Sequence, residues 1–336
     1  MGRNIAFTYA LMLFIFLGRA QGDFDDRING ISLVAERTAL DTSEVKPLLS
    51  VGANWAAIIP FGFMEDPHQP RVVFNGKWQW YGERIEGARE SIRALHKKGL
   101  SVMLKPQLWV AHGVYTGEIE MNAEEEWQKL ESSYRTFIRA FAELARDEEV
   151  EMFCVGTEMT MFTRQRPDFW RTLIQEIRTI YSGKLTYAAN WDEYTQVVFW
   201  DALDYIGVDA YFPIADTLVT NKATLQEGWK RWMEEMDSIG KKFQKKILFT
   251  EFGYRSIAEC AIQPWEYRSS TQVNEGAQSL ALEALFSVPW KSSFIVGGFL
   301  WKWHPDHANS GGKGDNSFTV QNKQAEEVVR SYYRNR

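Results

Sequence analysis

Short apolar runs alternate with longer amphipathic stretches along most of this chain. Eight runs stand out: GISLVAE (30–36), ANWAAIIPFGF (53–63), LSVMLKPQLWV (100–110), VEMFCVGTEM (150–159), KLTYAANWD (184–192), LDYIGVDAYFP (203–213), KILFTEFGY (246–254) and FIVGGFLWKWH (294–304). Gly, Pro, Asp or Asn bounds each one, as expected of buried strands. Helical patterns fill the gaps. Within 83–99, Ile85, Ala88, Ile92 and Leu95 recur at three and four residues, and Gly99 closes the helix. Within 124–147, Trp127, Leu130, Tyr134, Phe137, Ile138, Phe141 and Leu144 form one stripe, behind an acidic start suited to the positive end of a helix. The stretches 168–183, 225–242, 274–288 and 323–336 follow the same logic.

Eight strands alternating with helices, without a composition break or low-complexity linker, predict a single-domain α/β fold, a (β/α)8 TIM barrel. An open doubly wound sheet is the competing arrangement. No Gly-rich phosphate turn follows the first run, which argues against it.

The first residues change the picture of location. Arg3, the apolar stretch from Ile5 to Leu17, and the small residues Gly18 and Ala20 read as a signal peptide over 1–20, with cleavage near Ala20-Gln21. An uncleaved anchor is the alternative. The expectation is a secreted or periplasmic domain over 21–336, with no membrane contact after cleavage. A net charge of -6 leaves no basic footprint, so nucleic acid is not expected as a partner. Of the 14 Trp, 13 Tyr and 21 Phe, much must be core, and some suit the lining of a groove, because flat aromatic faces pack well against flat apolar ligand faces. Cys154 falls inside a strand and Cys260 in a loop; they read as two unpaired thiols.

Candidate chemistry starts from two charges in awkward places. Glu158 ends the fourth apolar run and Glu251 the seventh. A carboxylate at the tip of a buried strand is unfavourable unless paired or used. In a barrel of this kind the C-terminal strand ends form the active face, so both would project into one cleft from opposite sides. Two carboxyls facing each other across a cleft are what glycoside hydrolysis requires, one as a protonated acid and one as a charged nucleophile.

The motifs CVGTEM, ILFTEFGYRS and GFLWKWHPD, with GANWAAIIPFGF, MLKPQLW, YAANWDEY and DYIGVDAYFPI, resemble glycoside hydrolase family 113 over nearly the whole mature chain. That family belongs to the clan of retaining glycosidases with catalytic glutamates on strands four and seven, and its characterised members are β-1,4-mannanases. The resemblance implies Glu158 as acid/base and Glu251 as nucleophile. It implies that Tyr211 hydrogen-bonds the nucleophile, that Trp301 floors the sugar at the cleavage point, and that Lys105, Asn190 and Asp192 meet sugar hydroxyls. Many families of the clan place Asn before the acid/base, where it binds the 2-hydroxyl. Thr157 stands there in this chain, so the contact passes to another polar residue, such as Asn190.

Read from the residues alone, alternatives stay open. Lys105 could pair with a cleft acid, Tyr211 could be rim packing, and Trp301 core. Trp109, Trp303, Asn54 and Trp55 suit cleft or core equally. His304 and Asp306 read as polar groups at the cleft edge after the eighth strand. The HPDH cluster is too local to complete a metal site, and neither metal nor cofactor is expected. The expected activity is cleavage of β-1,4-mannosidic linkages in a mannan-type polysaccharide or oligosaccharide by double displacement. The same chemistry on glucan or xylan, and a carbohydrate-binding barrel without activity, are the alternatives. The stretch 63–82, with Trp78, Trp80 and Tyr81, either walls off one end of the cleft or adds a subsite.

Overall fold

Eleven strands form in the computed structural model, which describes residues 27–218, 221–266 and 272–334; ten arise from the apolar runs and one, β4, from the stretch after the second run. They are β1 (Ile28–Leu33), β2 (Trp55–Ile58), β3 (Phe61–Met64), β4 (Val73–Phe74), β5 (Ser101–Leu104), β6 (Gln107–Val110), β7 (Met152–Thr157), β8 (Lys184–Asn190), β9 (Ile206–Asp209), β10 (Ile247–Phe252) and β11 (Ile295–Trp303). Eight of them close a parallel barrel in the order β1-β11-β10-β9-β8-β7-β5-β2. This is the (β/α)8 barrel the alternation predicts. The leader expected over 1–20 lies outside the described residues.

The second and third apolar runs each divide into two strands. Pro60 and Pro106 sit at the breaks. Proline has no N–H to give to a ladder, so the barrel strands end there, although the two segments stay hydrogen-bonded to each other across the breaks. Beyond the breaks, β3 and β6 pair with each other and with β4 in a small sheet above the barrel rim. The link is unbroken hydrogen bonding: Lys105 N–H donates to the Ile58 carbonyl and Gln107 N–H to the Pro60 carbonyl, each at 2.9 Å. Period-two alternation then gives this sheet two faces. Gly62, Met64, Leu108 and Val110 are buried, while Phe61, Phe63, Gln107 and Trp109 point the other way.

Among the described residues, eight α-helices surround the barrel: α1 (Lys46–Val51), α2 (Ile85–His96), α3 (Glu124–Asp147), α4 (Thr160–Gln165), α5 (Pro167–Ile180), α6 (Lys222–Phe243), α7 (Glu275–Ser287) and α8 (Gln324–Arg334). The stripe foreseen on α3 is buried, and the Tyr134 hydroxyl pins that helix to β7 by donating to the Val155 carbonyl at 2.9 Å. The main core lies between strands and helices. A smaller apolar cluster, including Met103, Met152, Leu248 and Phe299, fills the barrel interior beneath the site. Cys154 and Cys260 are both buried and unbridged. No helix among the described residues is long and apolar enough to cross a membrane.

Candidate active site

Parallel strands present their C-terminal ends on one face, and there a cleft of about 940 Å³ opens. Glu158 follows β7 directly. Its backbone sits at φ 49°, a left-handed conformation uncommon for a residue with a side chain. Its N–H is held by the Ala188 carbonyl at 2.8 Å and its carbonyl by the Thr116 hydroxyl at 3.1 Å. Such strain persists only where the surroundings over-determine it, and it clusters at functional sites. Glu251 lies within β10, in register with Asp209 of β9. Gly253 follows closely. A Cβ there would lie 2.3 Å from the Trp301 carbonyl, so glycine lets the chain after β10 approach Trp301 on β11. The Trp301–Lys302 peptide is cis.

Glu251 is tied on both oxygens. Lys105 Nζ donates to Oε1 at 2.5 Å, Gln107 Nε2 to the same oxygen at 3.0 Å, and the Tyr211 hydroxyl to Oε2 at 2.7 Å. Asp209 completes the cluster, with Lys105 Nζ at 3.4 Å and the Thr250 hydroxyl donating at 2.7 Å. Burial works against the Lys105 ammonium, but Asp209 and Glu251 more than offset it and raise its pKa. Burial, then the charge of Glu251, raises the pKa of Asp209.

Glu158 differs. No donor among the described residues reaches its carboxyl. Burial, then the negative charges of Asp209 and Glu251, hold its pKa well above the ordinary carboxylate range. The cleft therefore contains one carboxyl biased toward its protonated form and another bound by an ammonium, an amide and a phenol. That combination suits proton donation from one side and nucleophilic attack from the other.

The structure brings most of the sequence candidates together. Glu158, Glu251, Tyr211, Trp301, Asn190, Asp192 and Trp109 all line the cleft. Three do not fit the expectation. Lys105 is fully buried beneath the floor and spends its ammonium on two carboxylates, so the pairing alternative holds and direct sugar contact does not. Asn54 precedes β2 at the opposite end of the barrel, where its amide accepts from Asn29 N–H at 2.8 Å and donates to the Arg27 carbonyl at 2.9 Å. His304 lies beyond the cleft lining; its N–H and carbonyl are both taken by the Gln321 amide, at 2.7 and 2.9 Å. Of the undecided aromatics, Trp303 is core. Thr157 is buried and does not line the cleft, whereas Asn190 does.

Four residues escaped sequence reading. Gln107 and Asp209 were hidden inside apolar runs. Tyr115, in the loop after β6, lines the cleft and accepts from Asn190 Nδ2 at 3.0 Å. Glu193, only 1% exposed, stands behind the wall that carries Glu158. It accepts from the Tyr187 hydroxyl at 2.9 Å, the Thr163 hydroxyl at 3.0 Å and Asn190 N–H at 3.2 Å. The Tyr187 oxygen in turn accepts from Met159 N–H at 2.7 Å, the peptide next to Glu158. One buried carboxylate thus braces the residue after Glu158 and the end of β8. Burial pushes its pKa up to about 7.

Residues 35–323 match the profile of Glycoside Hydrolase Family 113. Among solved structures, a family 113 β-1,4-mannanase in a complex superposes with a TM-score of 0.82 at 25% identity, over 93% of this chain and 100% of the other. The β-mannanase AaManA from Alicyclobacillus acidocaldarius, in complex with ManMIm, gives 0.81 at 26% identity, over 93% and 99%. A β-glucuronidase from Faecalibacterium prausnitzii gives 0.61 at 14% identity, over 91% of this chain and 48% of that one, a likeness of fold alone. No curated protein matches the sequence.

Proposed function

We propose, from the premise that the chain belongs to glycoside hydrolase family 113, that it is a secreted β-mannanase acting with retention of configuration. Family membership makes it a glycoside hydrolase with a polysaccharide or oligosaccharide substrate. The mannosidic linkage rests on its likeness to β-1,4-mannanases. The roles rest on one observation, the unequal surroundings of Glu158 and Glu251 in a common cleft.

In the first step Glu158, protonated, gives its proton to the glycosidic oxygen while Glu251 attacks the anomeric carbon. The bond to the leaving sugar breaks, and a covalent glycosyl-enzyme forms. Retention needs the carboxyls about 5–5.5 Å apart, too close for an intervening water. In the second step Glu158, now a carboxylate, takes a proton from water. That water attacks from the face the leaving group vacated and frees Glu251. Tyr211 and Gln107 keep the Glu251 carboxylate oriented through both steps. Trp301 supplies the floor under the sugar, and Asn190 the contact to the 2-hydroxyl that Thr157 does not provide. The leader over 1–20 directs export.

The test has two readings. Reducing-sugar release from mannan, glucan and xylan side by side should favour mannan. Proton NMR of the first product, read before mutarotation, should show the β anomer. Release from glucan or xylan alone would reassign the substrate, and an α anomer at the earliest time would remove the nucleophile role from Glu251.

A further inference from the structure

On one face of the small sheet above the rim, Phe61 packs against the barrel-interior cluster, Phe63 is half-buried and Trp109 is exposed. Gln107, whose amide reaches Glu251, fixes that face as the one turned toward the cleft. Trp109, two residues further along β6, shares it and lines the cleft while 51% exposed. Phe61 and Phe63 on β3 stand in register with Gln107 and Trp109, so they share it too. Trp78 extends the row from the loop beyond β4. Its ring meets Phe63 edge to face, centroids 4.6 Å apart, and it remains 61% exposed.

The Trp78 loop is built to stay there. Gln79 is buried; its oxygen accepts from Gly76 N–H at 2.7 Å and its amide donates to the Phe61 carbonyl at 3.0 Å. Gly76 lies directly under the indole. A Cβ there would come within 2.4 Å of Trp78 Nε1, so glycine makes room for the ring. A large aromatic held rigidly yet left in water marks a binding surface rather than core.

We propose that Trp109, Phe63 and Trp78 form an outer wall that stacks against sugar units of a β-linked polysaccharide beyond the cleavage point. The proposal rests on the glycan-cleaving function above and adds where the chain runs. Continuity decides the occupant: the face begins at Gln107, bonded to Glu251, moves one two-residue step of about 6.6 Å along β6 to Trp109 on the cleft lining, and then crosses the sheet in register to Phe63 and on to Trp78, away from the catalytic carboxyls. Flat aromatic rings offer large apolar contact at little entropic cost.

The test compares hexasaccharides with trisaccharides of the manno-, cello- and xylo- series. In the series the enzyme cleaves, Trp78→Ala should cut the ratio of kcat/KM for hexasaccharide over trisaccharide by about three- to tenfold, the range of one aromatic stack. Gly76→Ala, which displaces the indole, should cut the ratio in the same direction. Trp80→Ala is the control, because that ring stacks under the Arg37 guanidinium at 5.2 Å; the ratio should hold. An unchanged ratio in Trp78→Ala, or an equal fall in Trp80→Ala, overturns the wall. Binding is read separately from intrinsic tryptophan fluorescence. If none of the three hexasaccharides binds the wild type in a Trp78-dependent way, the wall is wrong whatever the substrate; cleavage confined to cello- or xylo-oligosaccharides would sink the mannan assignment alone.

Discussion

Two carboxyls face one cleft, and they are governed by opposite means. The Glu251 side is a cluster of bonds: an ammonium, an amide and a phenol converge on one carboxylate, with Asp209 sharing the ammonium. The Glu158 side has none of these. Among the described residues no donor reaches its carboxyl, and its proton is retained by burial and by the negative charges of Asp209 and Glu251. One group is controlled by contact, the other by environment. A contact can be deleted with one substitution, whereas an environment is spread over many residues and changes by increments.

Substitutions should expose that difference in graded order. Glu251→Ala should lower turnover by about 10⁴-fold or more, and added azide or formate should restore part of it, since a small anion can fill the hole while Glu158 still works. Near-normal turnover would dissolve the comparison. Glu158→Ala should cost about 10²- to 10⁴-fold on polysaccharide. The first step should suffer much less on aryl glycosides whose leaving group needs no proton, and equal loss on both substrates would mean that Glu158 is not the acid.

Lys105→Met tests the bonded side without touching either carboxyl. It leaves Asp209 and Glu251 as buried neighbours without a counter-charge, and breaking a buried pair this way costs roughly 3–5 kcal/mol. Denaturant unfolding should show that loss, and Lys105→Met with Asp209→Asn should recover part of it. Equal instability of the single and double variants would mean that Lys105 matters for packing rather than charge. Trp301→Ala should reduce kcat as well as weaken binding, by about tenfold, because stacking with a distorted sugar counts in the transition state. A fall in thermal stability alone would make Trp301 a core residue.

The smallest effect concerns Glu193. Its charge is one of several that hold the proton on Glu158, with Asp209 and Glu251 opposing ionisation more strongly and Lys105 favouring it. Glu193→Gln keeps an oxygen for Tyr187 and Thr163 but removes the charge. The alkaline limb of the kcat/KM profile should therefore move to lower pH, by less than about one unit. Stability supplies a second reading. The folded pKa of Glu193 is raised to about 7, so between its ordinary value and pH 7 the folded protein keeps a proton that the unfolded chain releases. Stability must fall as pH rises through that window, and Glu193→Gln should flatten the fall. A limb and a slope identical to wild type would confine Glu193 to bracing.

Much of this was legible in the chain. The barrel followed from alternation, and Glu158 and Glu251 announced themselves as charges at the ends of apolar runs. The misreadings share a cause: a run does not say where its strand begins, breaks or faces. Asn54 looked like part of a strand that starts at Trp55, so it falls at the wrong end. Pro60 and Pro106 were visible, yet each was absorbed into a continuous run, which concealed the small sheet. Lys105 lies just before the second of these breaks and turns inward. Asp209 and Gln107 looked like ordinary interruptions of apolar sequence, because their value comes only from partners on other strands. Glu193 sits in a turn after β8 and makes sense only once Tyr187 is beside it.

The bonds around Glu251 also bear on how the molecule acquires activity. Lys105 is 146 residues from Glu251 and 104 from Asp209 in the chain, and the three meet only when distant strands have found their places. Contacts of such long range form late, after large loops have closed. A partly collapsed chain can hold helices and local strand pairs and still have no assembled nucleophile. Recovery of turnover during refolding should therefore trail the recovery of far-ultraviolet circular dichroism, and catalysis becomes a clock for closure of the barrel.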